Sequence, residues 1–157
     1  MHLHIISIFP NLFEPYLSTS IMKRAQEKGL FEYTLHNLAD WTVRNTRRVD
    51  DRPYGGGPGT LLMVEPIYNL ITDIEEKYGK QSIIYFCPQG ERMTQEIVEI
   101  FAKPDDSYIL LCGHYEGVDE RIFSLFPIQK ISIGDFVLTS GELASLVWID
   151  AVVRLLP

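Results

Sequence analysis

Strands and helices alternate along this chain, and that alternation restricts its fold more than any other feature. Residues 3–9, 31–38, 82–87, 108–112 and 128–133 are short apolar or alternating runs of strand length. Between and after them, residues 18–28, 66–78, 94–101, 119–126 and 142–156 carry helical patterns. The punctuation agrees: Ser18 and Thr94 stand at N-cap positions, Pro66 lies in a first turn, and Gly29 and Gly79 follow helix ends. Thr139 and Glu142 have the spacing of a capping box before the last helix. Such an order predicts an α/β fold, a mainly parallel sheet with helices on both faces. At 157 residues the chain is one domain's length and long enough for a sizeable core.

The last helix is apolar nearly all round, with Leu143, Leu146, Val147, Ile149, Val152, Val153 and Leu156. A helix without a polar face is buried on most sides, and a subunit interface is a natural place for part of this one.

Parallel sheets bind ligands beyond the carboxyl ends of their strands. Three glycine-bearing loops leave such ends: residues 87–90, 112–117 and 133–141. Glycine lets backbone approach a ligand closely, although any single loop could hold its glycines for a tight turn alone. A phosphate-binding GxxxxGK[ST] is absent, and no GxGxxG follows the first strand, so nucleoside triphosphates and dinucleotides fit poorly. Residues 55–59 hold four glycines but no following lysine. His2, His4, His36 and His114 are scattered without metal-ligand spacing, and no GxSxG elbow exists. No metal site is expected on these grounds.

Within the second loop, His114 reads either as a hydrogen-bonding structural group or as a general base, and the first role is the commoner. Glu116 reads as a carboxylate for a cationic ligand or a ribose hydroxyl, or as a solvated loop charge. Asp119 and Glu120 suit a helix N-terminus. Residues 41–59 are polar and glycine-rich, with Arg44, Arg47, Arg48 and Arg52 near Trp41 and Tyr54. Arginine forks bind phosphate and aromatic rings stack on bases, so this segment is either a nucleic-acid contact or a solvated loop. It has too little apolar content to order itself, and ordering on RNA binding is expected. Arg154 follows Asp150 by four residues, the spacing of a helical ion pair.

The formal net charge of -7 argues against a broadly basic RNA-binding face but leaves room for a local basic patch. Cys87 and Cys112 have no CxxC spacing and read as free thiols of a reducing compartment. No signal peptide precedes the first strand and no apolar run spans a bilayer, so a cytoplasmic protein is expected.

Several strings resemble the bacterial tRNA (guanosine-37-N1) methyltransferases of the SPOUT class. They are residues 8–13, 52–59 (RPYGGGPG), 88–90, 113–121 (GHYEGVDER), 132–138 (SIGDFVL) and 141–143. They occur in family order across nearly the whole chain, and two are highly specific. The resemblance implies a deep trefoil knot at the C-terminal end of the sheet, with S-adenosylmethionine bent within it. The implied cofactor contacts are Tyr85, Phe86, Pro88, Gln89, Gly90, Gly113, Tyr115, Glu116, Gly117, Ser132, Ile133, Gly134, Asp135, Phe136, Val137, Leu138 and Gly141. Glu116 would face the sulfonium and methionine end or support a magnesium ion. Arg154 matches an arginine beside the target base, and the general base is an aspartate beyond residue 157. The resemblance further implies a homodimer with tRNA across both subunits, contacted by Arg44, Arg48, Arg52, Tyr54 and Arg154.

On this resemblance residues 1–157 are the S-adenosylmethionine-binding domain, without the C-terminal tRNA-binding domain. They are expected to bind cofactor and to methylate poorly. Ser140, Ala144 and Phe136 stand where family members often carry glycine, proline and tyrosine. Two alternatives are a SPOUT methyltransferase with another RNA target and a non-catalytic cofactor- or RNA-binding module.

Overall fold

The computed structural model describes all 157 residues. Its strands are β1 (His2–Ser7), β2 (Glu32–Asn37), β3 (Asp50–Asp51), β4 (Leu61–Leu62), β5 (Ser82–Arg92), β6 (Ser107–Leu111) and β7 (Ile128–Ser132). The helices are α1 (Glu14–Leu17), α2 (Ser20–Glu27), α3 (Val64–Tyr78), α4 (Gln95–Phe101), α5 (Ile122–Leu125) and α6 (Gly141–Val153). The main sheet has five strands in the order β2-β1-β6-β5-β7, and every pairing in it is parallel. β3 and β4 form a separate antiparallel ribbon.

The sheet has a core on each face because successive strand residues point to opposite sides. Leu3, Ile5, Ile84, Phe86, Tyr108 and Leu110 face one way, onto α1, α2, α4 and α6. Ile6, Ile83, Tyr85, Ile109 and Leu111 face the other, onto α3 and α5. The α/β architecture with helices on both faces is therefore as expected. On the first face Trp148 of α6 is fully buried, its ring centroid 5.5 Å from those of Phe101 and Tyr108.

Local expectations change in five places. Ser18 ends α1, and Thr19, in extended conformation, precedes α2. Residues 10–17, which show no helical period, form a short 3-10 turn and α1, each with a proline in its first turn. The helix expected over 119–126 shrinks to Ile122–Leu125, because the Asp119 carboxylate holds the Arg121 backbone N–H and guanidinium in a turn. The capping box at Thr139 does not form. Ser140 is the N-cap without a side-chain bond, and the Glu142 carboxylate turns inward to Ser7.

The fifth change concerns residues 41–59, part of which is bonded to the rest of the fold. Val49 is buried, and its carbonyl accepts from Met63 N–H at 2.8 Å. Glu65 accepts from Val43 N–H at 2.9 Å, and Arg44 pairs with Asp51 at 2.9 Å. Polar bonds to α3 and a single buried valine supply the order that apolar content does not.

Candidate functional site

β5, β6 and β7 end side by side, and their loops enclose a cavity of about 280 Å³, the scale of a small-molecule site. β5 supplies a bulge. Phe86 and Glu91 both register with Ile131 of β7, so the four residues between them leave the ladder. Pro88 and Gln89 of this bulge line the cavity. β6 supplies Gly113, His114, Tyr115, Glu116 and Gly117. β7 leads into a turn in which the buried Ser132 hydroxyl donates to the Gly134 carbonyl (3.0 Å) and accepts from Gly134 N–H (3.2 Å). Beyond it Phe136, Val137 and Leu138, all exposed, form one wall.

Backbone meets backbone where the chain re-enters the fold at α6. Gly141 N–H donates to the Gly113 carbonyl at 2.8 Å. A β-carbon on Gly141 would lie 2.7 Å from the Gly113 nitrogen, so no larger residue fits that crossing. A β-carbon on Gly113 would in turn lie 2.8 Å from the Tyr85 hydroxyl. Burial under this loop, followed by the nearby Cys87, pushes the Tyr85 hydroxyl up to about 12, so it stays a neutral hydrogen-bonding group. Tyr115 adopts a left-handed φ of 57°, which a non-glycine residue holds only with surrounding support.

Every residue expected from the sequence to hold the cofactor lines this cavity except Gly90 and Asp135. Gly90 instead packs on the β7 backbone, where a β-carbon would come within 2.5 Å of the Ile131 nitrogen. Asp135 points outward to Arg92, 3.6 Å away. Cys87, Val118, Glu120, Phe123 and Lys130, none of them named from the sequence as a cofactor contact, also line it. Lys130 pairs with Glu120 at 2.9 Å and sits 3.8 Å over the Phe123 ring. Lys130 belongs to β7 and Glu120 and Phe123 to the α5 region, and only the adjacency of β7 to β5 brings them in.

The arginine segment is tied to the same cavity. Glu116 N–H donates to the Thr60 carbonyl at 3.0 Å, and Leu62 N–H to the Gly117 carbonyl at 2.9 Å. Gly59 lies against the Glu116 side chain, where a β-carbon would overlap Cγ at 2.5 Å. Burial, then Asp50, raises the Tyr115 hydroxyl above its ordinary value, which places the half-exposed ring near this segment. Arg44 and Arg48 are paired with Asp51 and Asp50, whereas Arg52 has no ion-pair partner and Tyr54 is 90% exposed. Arg121 stands 5.5 Å over the Tyr54 ring.

Arg154 does not reach the cavity within one chain. It caps the far end of α6, roughly 20 Å along the helix from Gly141. The ion pair with Asp150 suggested by spacing does not form either, and Asp150 accepts from the Tyr16 hydroxyl instead. No group of three histidine, cysteine or acidic side chains is placed to hold a metal ion. No helix is long and apolar enough to cross a membrane.

A family model described as tRNA (Guanine-1)-methyltransferase TrmD matches residues 1–157. The chain belongs to this family. Among similar proteins, a tRNA (guanine-N(1)-)-methyltransferase of Clostridioides difficile is 43% identical over 159 residues, covering 100% of this chain and 68% of the relative. Its namesake in Oceanobacillus iheyensis is 45% identical, covering 100% of this chain and 64% of the relative. The chain thus spans about two thirds of the length of these relatives. The crystal structure of tRNA (m1G37) methyltransferase from Aquifex aeolicus superposes with a TM-score of 0.90 at 38% identity, over 100% of this chain and 70% of that one.

Proposed function

We propose that the protein transfers a methyl group from S-adenosylmethionine to N1 of guanosine-37 in tRNA. The carrying observation is the cavity where three glycine loops converge at the carboxyl ends of β5, β6 and β7. Membership of the methyltransferase family and the names of its relatives supply the reaction class. We read the chain as threaded through the 113 and 141 loops in a trefoil knot, which the Gly113–Gly141 crossing suits.

The residues present fit this cofactor. Backbone at Ile133 and Leu138 would offer donors and acceptors to a purine, and the apolar side chains of Phe136, Val137 and Leu138, which line the cavity, would pack on its face. Glu116 lines the cavity without an ion-pair partner and would offer its carboxylate to a sulfonium cation, whereas Glu120 is already paired with Lys130. Bound S-adenosylmethionine would supply the electrophilic methyl group. The chain's own residues would bind, orient and exclude water. Guanine N1 carries a proton at neutral pH, so a base must take it. We assign that base to an aspartate beyond residue 157, and Glu116 to holding the cofactor's cationic end. Negative charge building toward O6 would be met by Arg154. Arg154 lies far from its own cavity, so a second copy would have to supply it.

A homodimer is the arrangement that does so. Leu143 and Val147 of α6 stay 56% and 46% exposed, beside Tyr16, which bonds Asp150 of the same helix. This apolar stripe suits a second copy of the chain. For magnesium, Glu116 and Glu120 give carboxylates but no cage, so no step is routed through it. A tRNA substrate implies a cytoplasmic protein.

Calorimetric titration with S-adenosylmethionine is expected to show about one site per chain. Gly134→Val is expected to abolish it, because φ is +156° there and a β-carbon would meet the Phe136 ring at 2.5 Å. No binding by a folded wild type would overturn the cofactor reading. Residues 1–157 alone are expected to methylate tRNA very slowly, and brisk turnover would move the base to Glu116. Transcripts with adenosine at position 37 separate this target from other RNA sites.

Unpaired Arg52 is the expected phosphate contact. Arg52→Ala should weaken tRNA binding and flatten its salt dependence by about one counterion. Arg44→Ala and Arg48→Ala should do less, because Asp51 and Asp50 already neutralise those side chains. Equal effects at all three positions would refute that ranking.

A further inference from the structure

Glu142 is 1% exposed, and one of its oxygens, Oε2, is buried without a partner. It does not line the cavity, and neither the capping-box reading nor the methyl-transfer chemistry uses it. Its other oxygen, Oε1, accepts from the Ser7 hydroxyl at 2.6 Å, a buried bond joining residues 135 apart in sequence. The same hydroxyl accepts from the Phe9 backbone N–H at 2.8 Å. Ser7 gives its only proton to Glu142 and accepts from Phe9 with one of its two lone pairs, so its hydroxyl links the two residues. The Phe9 ring, half-exposed, lies edge-on to His114 at 5.2 Å, and His114 lies edge-on to Tyr115 at 4.8 Å. His114 and Tyr115 line the cavity, and Tyr115 is the residue held at left-handed φ.

We propose that Glu142 is a positioning residue for the cavity, acting through Ser7 and Phe9 on His114 and Tyr115. The inference rests on the cofactor reading of that cavity. Two ties from adjacent residues of α6 converge on one loop. Gly141 N–H holds the Gly113 carbonyl directly, and Glu142 braces the other side of the loop through the end of β1. The bond between Ser7 and Glu142 is buried, so water does not compete with it. Without the brace, the Phe9 backbone keeps only the bond from Leu12 N–H to its carbonyl, and the ring is less firmly placed. The strained Tyr115 then loses the packing that keeps its ring on the cavity wall. Glu142 Oε2 and His114 Nδ1, at the two ends of this chain of contacts, are both buried without a protein partner. Each end can take one further hydrogen bond.

The test uses amide hydrogen exchange and S-adenosylmethionine titration on wild type, Ser7→Ala, Phe9→Ala, Glu142→Ala and Glu142→Gln. The informative amides are Glu116 and Gly117, bonded to Thr60 and His114, and Gly141, bonded to Gly113. Ser7→Ala and Phe9→Ala are expected to speed exchange at these amides and to weaken cofactor binding, each by about tenfold. Phe9→Ala should do so with little change in melting temperature, since half of that ring already meets water. Glu142→Gln keeps an acceptor for Ser7 and should remain near wild type, whereas Glu142→Ala should follow Ser7→Ala. Unchanged exchange at all three amides in Ser7→Ala and Phe9→Ala overturns the proposal, as does unchanged affinity in both. Failure of the wild type to bind would strike the cofactor reading itself, and the exchange rates would still decide whether the brace exists.

Discussion

Replacing Gly90 by alanine is expected to destabilise the domain by about 3 kcal/mol, the upper range for forcing atoms into a packed site. For a chain of this size that lowers the melting temperature by roughly 6–12 °C. The cause is space, not conformation. Gly90 has no left-handed φ, but a β-carbon there would lie 2.5 Å from both the Ile131 nitrogen and the Lys130 carbonyl carbon. Those atoms are backbone of β7 and cannot swing aside as a side chain can. The β5 bulge closes at this point, where Glu91 returns to the same Ile131 partner that Phe86 leaves. Pushing the two strands apart therefore also displaces Pro88 and Gln89 from the cavity wall. Gly79 is the useful contrast. Its φ of +80° disfavours alanine, yet nothing lies within 4 Å of a β-carbon there. With ψ at 178° the backbone lies in a region essentially reserved for glycine, so Gly79→Ala should cost about 1–3 kcal/mol of backbone strain and leave cofactor binding intact. In thermal melts and cofactor titrations, a Gly90→Ala variant that melts like wild type and binds normally would show that the β7 backbone yields easily.

The same glycine shows what the sequence could and could not disclose. Five buried strands are legible because each is a short run with apolar residues facing both ways, as in Ile83, Ile84, Tyr85 and Phe86. The three loops are legible because glycine concentrates at their ends. What each glycine does is not, since Gly90 serves a neighbouring strand and Gly141 serves a loop 28 residues earlier. Lys130, Phe123 and Glu120 escape notice as cavity residues for the same reason. They sit in ordinary amphipathic patterns, and only the placement of β7 beside β5 turns them inward. At Glu142 a local rule, the capping box, fits the spacing and misleads. The bond it makes spans 135 residues and leaves no periodic trace. Arg154 is placed by resemblance alone, and its distance from the cavity becomes visible only with α6 in place.

Acid is expected to unfold this domain through a histidine cluster far from the cavity. His4 on β1 is fully buried, with Nδ1 3.2 Å from Nε2 of His36 on β2, and its own Nε2 has no partner. The His2 ring is 4.1 Å away, and Tyr78 of α3 covers both His2 and His4. Glu32 faces His2 at 3.4 Å, and Asp73 and Lys77 of α3 act on His36 with opposite signs. Burial, then the neighbouring His2 and His36, pushes His4 down to about 4. Burial likewise pushes His36 down to about 4, with Asp73 opposing and with His2 and Lys77 assisting. Both rings are thus neutral in the folded state at neutral pH. The unfolded chain takes up their protons near pH 6.5, while the folded chain resists until about pH 4. Between those limits the unfolded state binds more protons, so stability is full above pH 6.5 and falls as the pH drops toward 4. His4 alone accounts for roughly 3 kcal/mol of that loss, at about 1.4 kcal/mol for each pH unit between the two limits. His36, partly open to water, adds less. Urea denaturation between pH 7.5 and 4 should show this slope in the wild type and a shallower one in His4→Leu, which removes the proton acceptor. Parallel curves for the two proteins would assign the acid sensitivity to carboxylates instead.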